Sequence, residues 1–195
     1  SEIHIPKRLF AHQMIEEAMI LANICAAKYI KKHIGYGIYR VHEEPEVLKI
    51  QNLKKFFSLK GLSSKSFLKT IELINGFIKH VNKDEGNKMM NILILQTLKR
   101  AQYSTKEIGH FGLQLKEYSH FTSPIRRYPD LIAHRLIKEI LHKAIQKPNQ
   151  EKLEEVLAEL SSLEKRAEKS SRQVVQQMIC HHLKQFVGDD FSAMI

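Results

Sequence analysis

Near the middle of the chain, Thr122, Ser123, Pro124, Ile125, Arg126, Arg127 and Tyr128 set two hydroxyls, two adjacent arginines and an aromatic ring side by side. A guanidinium can give a phosphate two parallel hydrogen bonds, and Thr122 and Ser123 add hydroxyl donors. Tyr118, His120, Phe121 and Tyr128 offer ring faces for unpaired bases, each stack being worth about 1–3 kcal/mol. That is the chemistry of gripping a single-stranded nucleic acid by its backbone. The competing reading is a helix cap whose arginines pair with acidic neighbours, Glu117 or Asp130.

Ser123 is a suitable helix N-cap, and Pro124 at the first helical position loses no needed amide. Arg126 and Arg127 would then lie in the first helical turn. Unpaired amides and roughly half a positive charge already attract an anion there. Pro129 predicts a kink in that helix, because it lacks the amide that would bond the Ile125 carbonyl.

Two further groups interrupt apolar runs. Glu16, Glu17 and Asn23 lie in an otherwise apolar helical segment, and Glu16 and Asn23 share one face. They can line a polar pocket, or form an exposed edge with Asn23 bonded to backbone. Arg40 and His42 alternate on YRVH and so point to one side of a strand. They can contact phosphate, or pair with Glu43 or Glu44.

Metal-assisted cleavage of a phosphodiester needs carboxylates clustered to hold two ions roughly 4 Å apart. The four aspartates, Asp84, Asp130, Asp189 and Asp190, form no such cluster. His181 and His182 point about 100° apart on a helix and do not suit one metal. No metal ligand is assigned. No phosphate-binding glycine loop, nucleophile elbow or paired-cysteine motif occurs.

The elements that must position these residues are mainly helical with short β segments, an α+β pattern. Helices are predicted over Phe10–His33, stopped by Gly35, over Pro45–Phe57, and from a Ser64 cap to Val81. Another is predicted over Lys88–Gln102, with an apolar face of Met89, Ile92, Leu95 and Leu98. A long final helix is predicted over Glu151–Gln185. The first helix repeats Ile15, Met19, Ala22, Ala26 and Tyr29 along one face. Residues 36–45 read as a short strand and exit turn, 82–87 as a turn, and 110–123 as a hairpin or two short strands. The last ten residues read as a glycine turn followed by the start of a strand.

With 195 residues, 43% of them hydrophobic, the chain can bury a core. Lys and Arg outnumber Asp and Glu 31 to 21, a formal net charge of +10, which favours polyanionic partners. Two cysteines, Cys25 and Cys180, are too few for a disulfide scaffold and read as reduced and packed, in a cytoplasmic protein. The longest apolar stretch is too short to span a bilayer, so no membrane partner is expected.

HFTSPIRRYPDLIAHR, with HFGL ahead of it, resembles the signature of the ribonuclease II / ribonuclease R family. IEEAMILANICAA, GIYRVHEEP and EKRAEKSSRQVV resemble three further blocks of that family, in order. The resemblance covers essentially the whole chain. It implies that residues 1–185 are the C-terminal half of the family's catalytic domain. Residues 186–195 would then be the truncated start of an oligonucleotide-binding β-barrel. Members of the family hydrolyse single-stranded RNA from the 3′ end to nucleoside monophosphates, using Mg²⁺. By resemblance, Arg126 would sit at the scissile phosphate, Arg127 and Tyr128 would shape the pocket, and Glu16 or Glu17 would hold the terminal nucleotide. The family's metal-binding aspartates precede the matched blocks. The implied partners are therefore single-stranded RNA and the upstream half of the domain, in the same or another chain. This chain alone is expected to be inactive. The alternative is a catalytically inactive RNA-binding remnant or helical module. Gln173 stands where the family has an acidic residue, and Gln176–Gln177–Met178 lacks its tryptophan.

Overall fold

The computed structural model describes residues 9–59, 69–81, 88–144 and 146–190. Helix α1 (Phe10–Ile34) ends where Gly35 turns left-handed, φ 96°, and returns its amide to the Lys31 carbonyl. Strand β1 (Tyr39–Val41) follows, then α2 (Val47–Leu59), α3 (Thr70–Val81), α4 (Lys88–Thr97) and strand β2 (Gln102–Ser104). After a 3₁₀ turn at Phe111–Leu113 come α5 (Tyr128–Leu141) and α6 (Gln150–Leu183), with a final 3₁₀ turn at Lys184–Phe186. The mainly α architecture with short β pieces is thus as expected from the sequence.

β1 and β2 pair antiparallel, Arg40 opposite Tyr103. The chain at 109–118 continues this small sheet without a ladder of its own: Arg40 N–H donates to the Tyr118 carbonyl, and His42 N–H to that of Gly109. The expected hairpin over 110–123 reduces to the 3₁₀ turn, closed by a bridge between His110 and Leu115.

Two large apolar cores form among the described residues, with a small third cluster of Ala27, Tyr39 and Val41. The first joins Ile30 and Ile34 of α1, Tyr103, Ala133, Leu136 and Ile140 of α5, and Leu153 and Leu157 of α6. The second joins Ile50, Leu53 and Phe57 of α2, Leu73, Ile74, Phe77 and Val81 of α3, Ile94 of α4, and Phe111. Glu154 fastens α6 to β2, accepting from the Ser104 and Thr105 hydroxyls and the Thr105 amide.

Several expectations are corrected. Helix α4 ends at Thr97, whose hydroxyl caps the Ile94 carbonyl at 2.6 Å, and Gln102 starts β2 instead. Ile94 is its buried residue, with Met90 and, just past its end, Leu98 partly buried against the same core, whereas Ile92 and Leu95 are exposed. Packing against α2 and α3 selects one of two apolar stripes that periodicity alone does not rank. On α1 the buried face is Asn23, Ala26, Ala27, Ile30 and Ile34, and Ile15 is exposed, because the first two turns stand off the first core. Cys25 and Cys180 are free, as expected, but exposed rather than packed. The Ser64 cap and the 82–87 turn lie outside the described residues. Gly188 is left-handed as a turn requires, φ 104°, while the strand expected after it falls on 191–195, also outside them. Among the described residues, no helix is long and apolar enough to cross a membrane.

Candidate nucleic-acid interface

Helix α5 begins at Tyr128, four residues later than the Ser123–Pro124 cap implies. A helix starting at Pro124 would hold Pro129 in its interior, where the ring clashes and a hydrogen bond is lost. Beginning at Tyr128 puts Pro129 in the first turn, so no kink is needed. Asp130 then enters the same turn, near the positive end of the helix dipole. Residues 123–127 form a separate turn, in which the Ser123 carbonyl accepts the amides of Arg126 and Arg127. Both arginines therefore stand before the helix, not in it, and Ile125 at the crest is fully exposed.

This turn faces the middle of α6 across an open cleft of about 670 Å³. Tyr103, Arg126, Arg127 and Tyr128 line one side. Leu160, Leu163, Glu164, Ala167, Glu168 and Ser171 line the other.

Each carboxylate in or behind the cleft is already claimed. Asp130, fully buried, receives Arg127 Nε on both oxygens at 2.8 Å. Glu164 holds Arg40 at 2.7 Å, and the Arg40 guanidinium lies 4.5 Å above the Tyr103 ring. Glu168 pairs with Arg100 and Arg172. Arg126 is exposed, and its guanidinium forms no hydrogen bond or ion pair with the described residues. Burial pushes the Asp130 carboxyl above its ordinary range, with the opposing pull of Arg127 second. The Arg127–Asp130 pairing is one of the two alternatives open in the sequence. Glu117 instead holds Lys31 at 2.5 Å.

The other residues expected in an RNA pocket separate into cleft wall and support. Tyr118 is buried and offers no stacking face: its hydroxyl accepts from Asn23 Nδ2 at 3.1 Å, and its ring meets His110 and His120 edge-on. His120 is bonded inward, Nδ1 to the Tyr103 hydroxyl at 2.8 Å. The Phe121 ring is stacked on His134 at 4.0 Å, so that ring face is taken within the fold. Asn23 is 3% exposed and faces the interior rather than a pocket. The Thr122 hydroxyl oxygen is buried with no partner. Arg40 pairs across to α6, not with Glu43 or Glu44, and Glu43 holds Lys99 at 2.5 Å. His42 is buried and does not line this cleft, its Nδ1 accepting the Gly112 amide. Glu16 and Glu17 are exposed on the first half of α1 and do not line this cleft. The structure adds Tyr103, Glu164, Glu168 and Ser171 to the candidate site. The EKRAEKSSRQVV block pointed to the segment holding the last three, but spacing could not show which side of α6 meets the turn.

Burial between Tyr103 and Tyr118, reinforced by Arg127 and Arg40, pushes His120 down to about 3. The unfolded chain, with an ordinary histidine near 6.5, binds that proton more readily. Stability supplied by the neutral ring is complete above that value and falls away as pH drops towards the folded one. Replacing His120 with Gln is expected to flatten the loss of stability between pH 6.5 and pH 3, measured by urea unfolding at several pH values. An unchanged slope would count against this burial as its source.

Among the described residues no group of three or more His, Cys, Asp or Glu could hold a metal ion. The cleft does not fit a divalent ion's ligand set.

Comparison with known proteins bears on this geometry. The RNB domain family matches residues 1–143. Ribonuclease R of Vibrio parahaemolyticus is 34% identical over 199 residues, covering 95% of this chain and 24% of its own length. Ribonuclease R of Aquifex aeolicus is 38% identical over 198 residues, covering 97% of this chain and 27% of its own. The structure of Mycoplasma genitalium ribonuclease R in complex with double-stranded RNA superposes with a TM-score of 0.79 at 29% identity. It covers 95% of this chain and 34% of that one. The chain spans about a quarter of the length of these curated relatives.

Proposed function

The chain belongs to the RNB domain family, and we propose that within it this chain supplies the arginine, RNA-binding side of the active site of a hydrolytic 3′-to-5′ exoribonuclease. The observation that carries the reading is the cleft in which every carboxylate is already paired while Arg126 is not. An RNA phosphate is the anion that completes this arrangement. Backbone contact by arginine gives affinity without sequence preference, which suits a processive enzyme on single strands. As negative charge builds on the scissile phosphate, a guanidinium held at that point stabilises the transition state more than the ground state. Tyr128, half exposed beside Arg126, is the ring available to stack on a base.

The divalent ion of a complete enzyme would supply the attacking hydroxide and neutralise phosphate charge. Its ligands are assigned to the upstream half of the domain, the second partner of this chain. The lack of a metal-ligand cluster among the described residues favours a second reading, in which the chain binds RNA without turnover.

The test is titration of single-stranded RNA into this chain at several salt concentrations. Arg126→Ala is expected to weaken binding about tenfold and to reduce the salt slope by about one phosphate contact. Unchanged affinity and slope would remove Arg126, and with it this reading. Addition of the upstream half, with Mg²⁺ or Mn²⁺ and 5′-labelled RNA, then separates an enzyme from a binding module by whether nucleotides are released.

A further inference from the structure

We propose that Asn23 is the positioning residue that aims Arg126 into the cleft. The proposal rests on the reading of Arg126 as a phosphate ligand and adds what holds it in place.

From Tyr118 to Arg127 the chain has no helix and no ladder, so its backbone groups need partners from elsewhere. Asn23, on the buried face of α1, supplies those of two amides, while the Tyr118 carbonyl accepts from the Arg40 amide and the Phe121 carbonyl pairs with His134 Nε2 at 2.8 Å. Asn23 Oδ1 accepts the amides of Phe121 at 2.8 Å and Thr122 at 3.3 Å, while its Nδ2 donates to the Tyr118 hydroxyl at 3.1 Å. One carboxamide thus fixes three of five consecutive residues.

On the upstream side, Thr122 is the last residue whose backbone is tied to another element by these bonds. Beyond it the turn is held by its own Ser123 carbonyl, and by Arg127 on Asp130 of α5. Arg126 projects between these two anchors. Asp130 sets the downstream end and Asn23 the upstream end, so the direction of the turn over α6 depends on both.

The chemistry needs an amide of this length. An alanine leaves two part-buried amides and the buried Tyr118 hydroxyl without their partner, and a donor left unmade away from water is penalised. Glutamine would push the carboxamide one methylene further into a packed segment.

A double-variant cycle on single-stranded RNA binding by this chain tests the idea, with helical circular dichroism confirming that each variant folds. Asn23→Ala is expected to weaken binding about tenfold, close to the effect of Arg126→Ala. The double variant is expected to bind no more weakly than Arg126→Ala alone, because a misaimed arginine and a missing one are equivalent. Tyr118→Phe keeps the ring in place but removes the acceptor of Asn23 Nδ2. Its milder loss, about threefold, should likewise vanish when Arg126 is already alanine. If Asn23→Ala does not fold, the Tyr118→Phe cycle decides alone. Losses that multiply would overturn the proposal and leave Asn23 as a support of the fold, with the RNA reading intact. If Arg126→Ala itself leaves affinity unchanged, the proposal and the functional reading fall together.

Discussion

Asp130→Ala is expected to destabilise the protein by about 3–5 kcal/mol, the usual result of removing one partner from a buried ion pair. Asp130 has no exposed surface, and Arg127 Nε donates to both of its oxygens. Arg127 already has one terminal nitrogen buried without a partner. Losing the carboxylate would leave an uncompensated guanidinium between the arginine turn and α5. The turn would rotate to hydrate it, taking Arg126 out of the cleft. Two measurements should move together: the urea midpoint falls, and the residual folded protein binds single-stranded RNA more weakly. Asp130→Asn, which keeps an acceptor, should lose less on both counts. A variant as stable as the parent would mean that the pair contributes specificity of shape rather than stability.

Phe57→Ala is expected to cost a similar amount, about 3–5 kcal/mol, for a different reason and in a different place. Phe57 is fully buried and stacked on Phe77 at 3.9 Å, in the core shared by α2, α3 and α4. That core and the one beneath the arginine turn have no buried residue in common. The cavity should therefore loosen α2–α4 before it reaches α1, α5 and α6. Hydrogen exchange is the appropriate measurement. Amides of α3 should lose protection while those around Leu136 and Leu153 keep theirs, and RNA affinity should hold. Equal loss in both regions would show that the two cores unfold as one unit.

The two effects follow how far each element could be read from sequence. The α1 stop at Gly35 was legible because a left-handed cap has few other residue choices. The start of α5 was not. Two prolines, Pro124 and Pro129, both suit a first helical turn, and the choice between them depends on a turn closed by Ser123 and a carboxylate reaching back to Arg127. The surroundings of the aromatic residues are not legible in sequence for a related cause. Tyr118, His120 and Phe121 are chemically able to stack on bases, but stacking requires an open face. Tyr118 is buried with its hydroxyl on Asn23 of α1, His120 is bonded inward to Tyr103 of β2, and one face of Phe121 is covered by His134 of α5.

The helical class, the basic balance, the family resemblance and the arginine pair are legible in the sequence, because each depends on residue type and local spacing. Which arginine is left to meet an anion depends on the folded packing. Arg127 and Arg126 are equivalent as a local pattern. They differ once a buried Asp130 neutralises one and the α6 carboxylates are spent on Arg40, Arg100 and Arg172. The Arg127–Asp130 pair is only three positions apart, but spacing alone does not choose it over Glu117, and pairings such as Arg40 with Glu164 join residues more than a hundred positions apart, of which linear spacing carries no record.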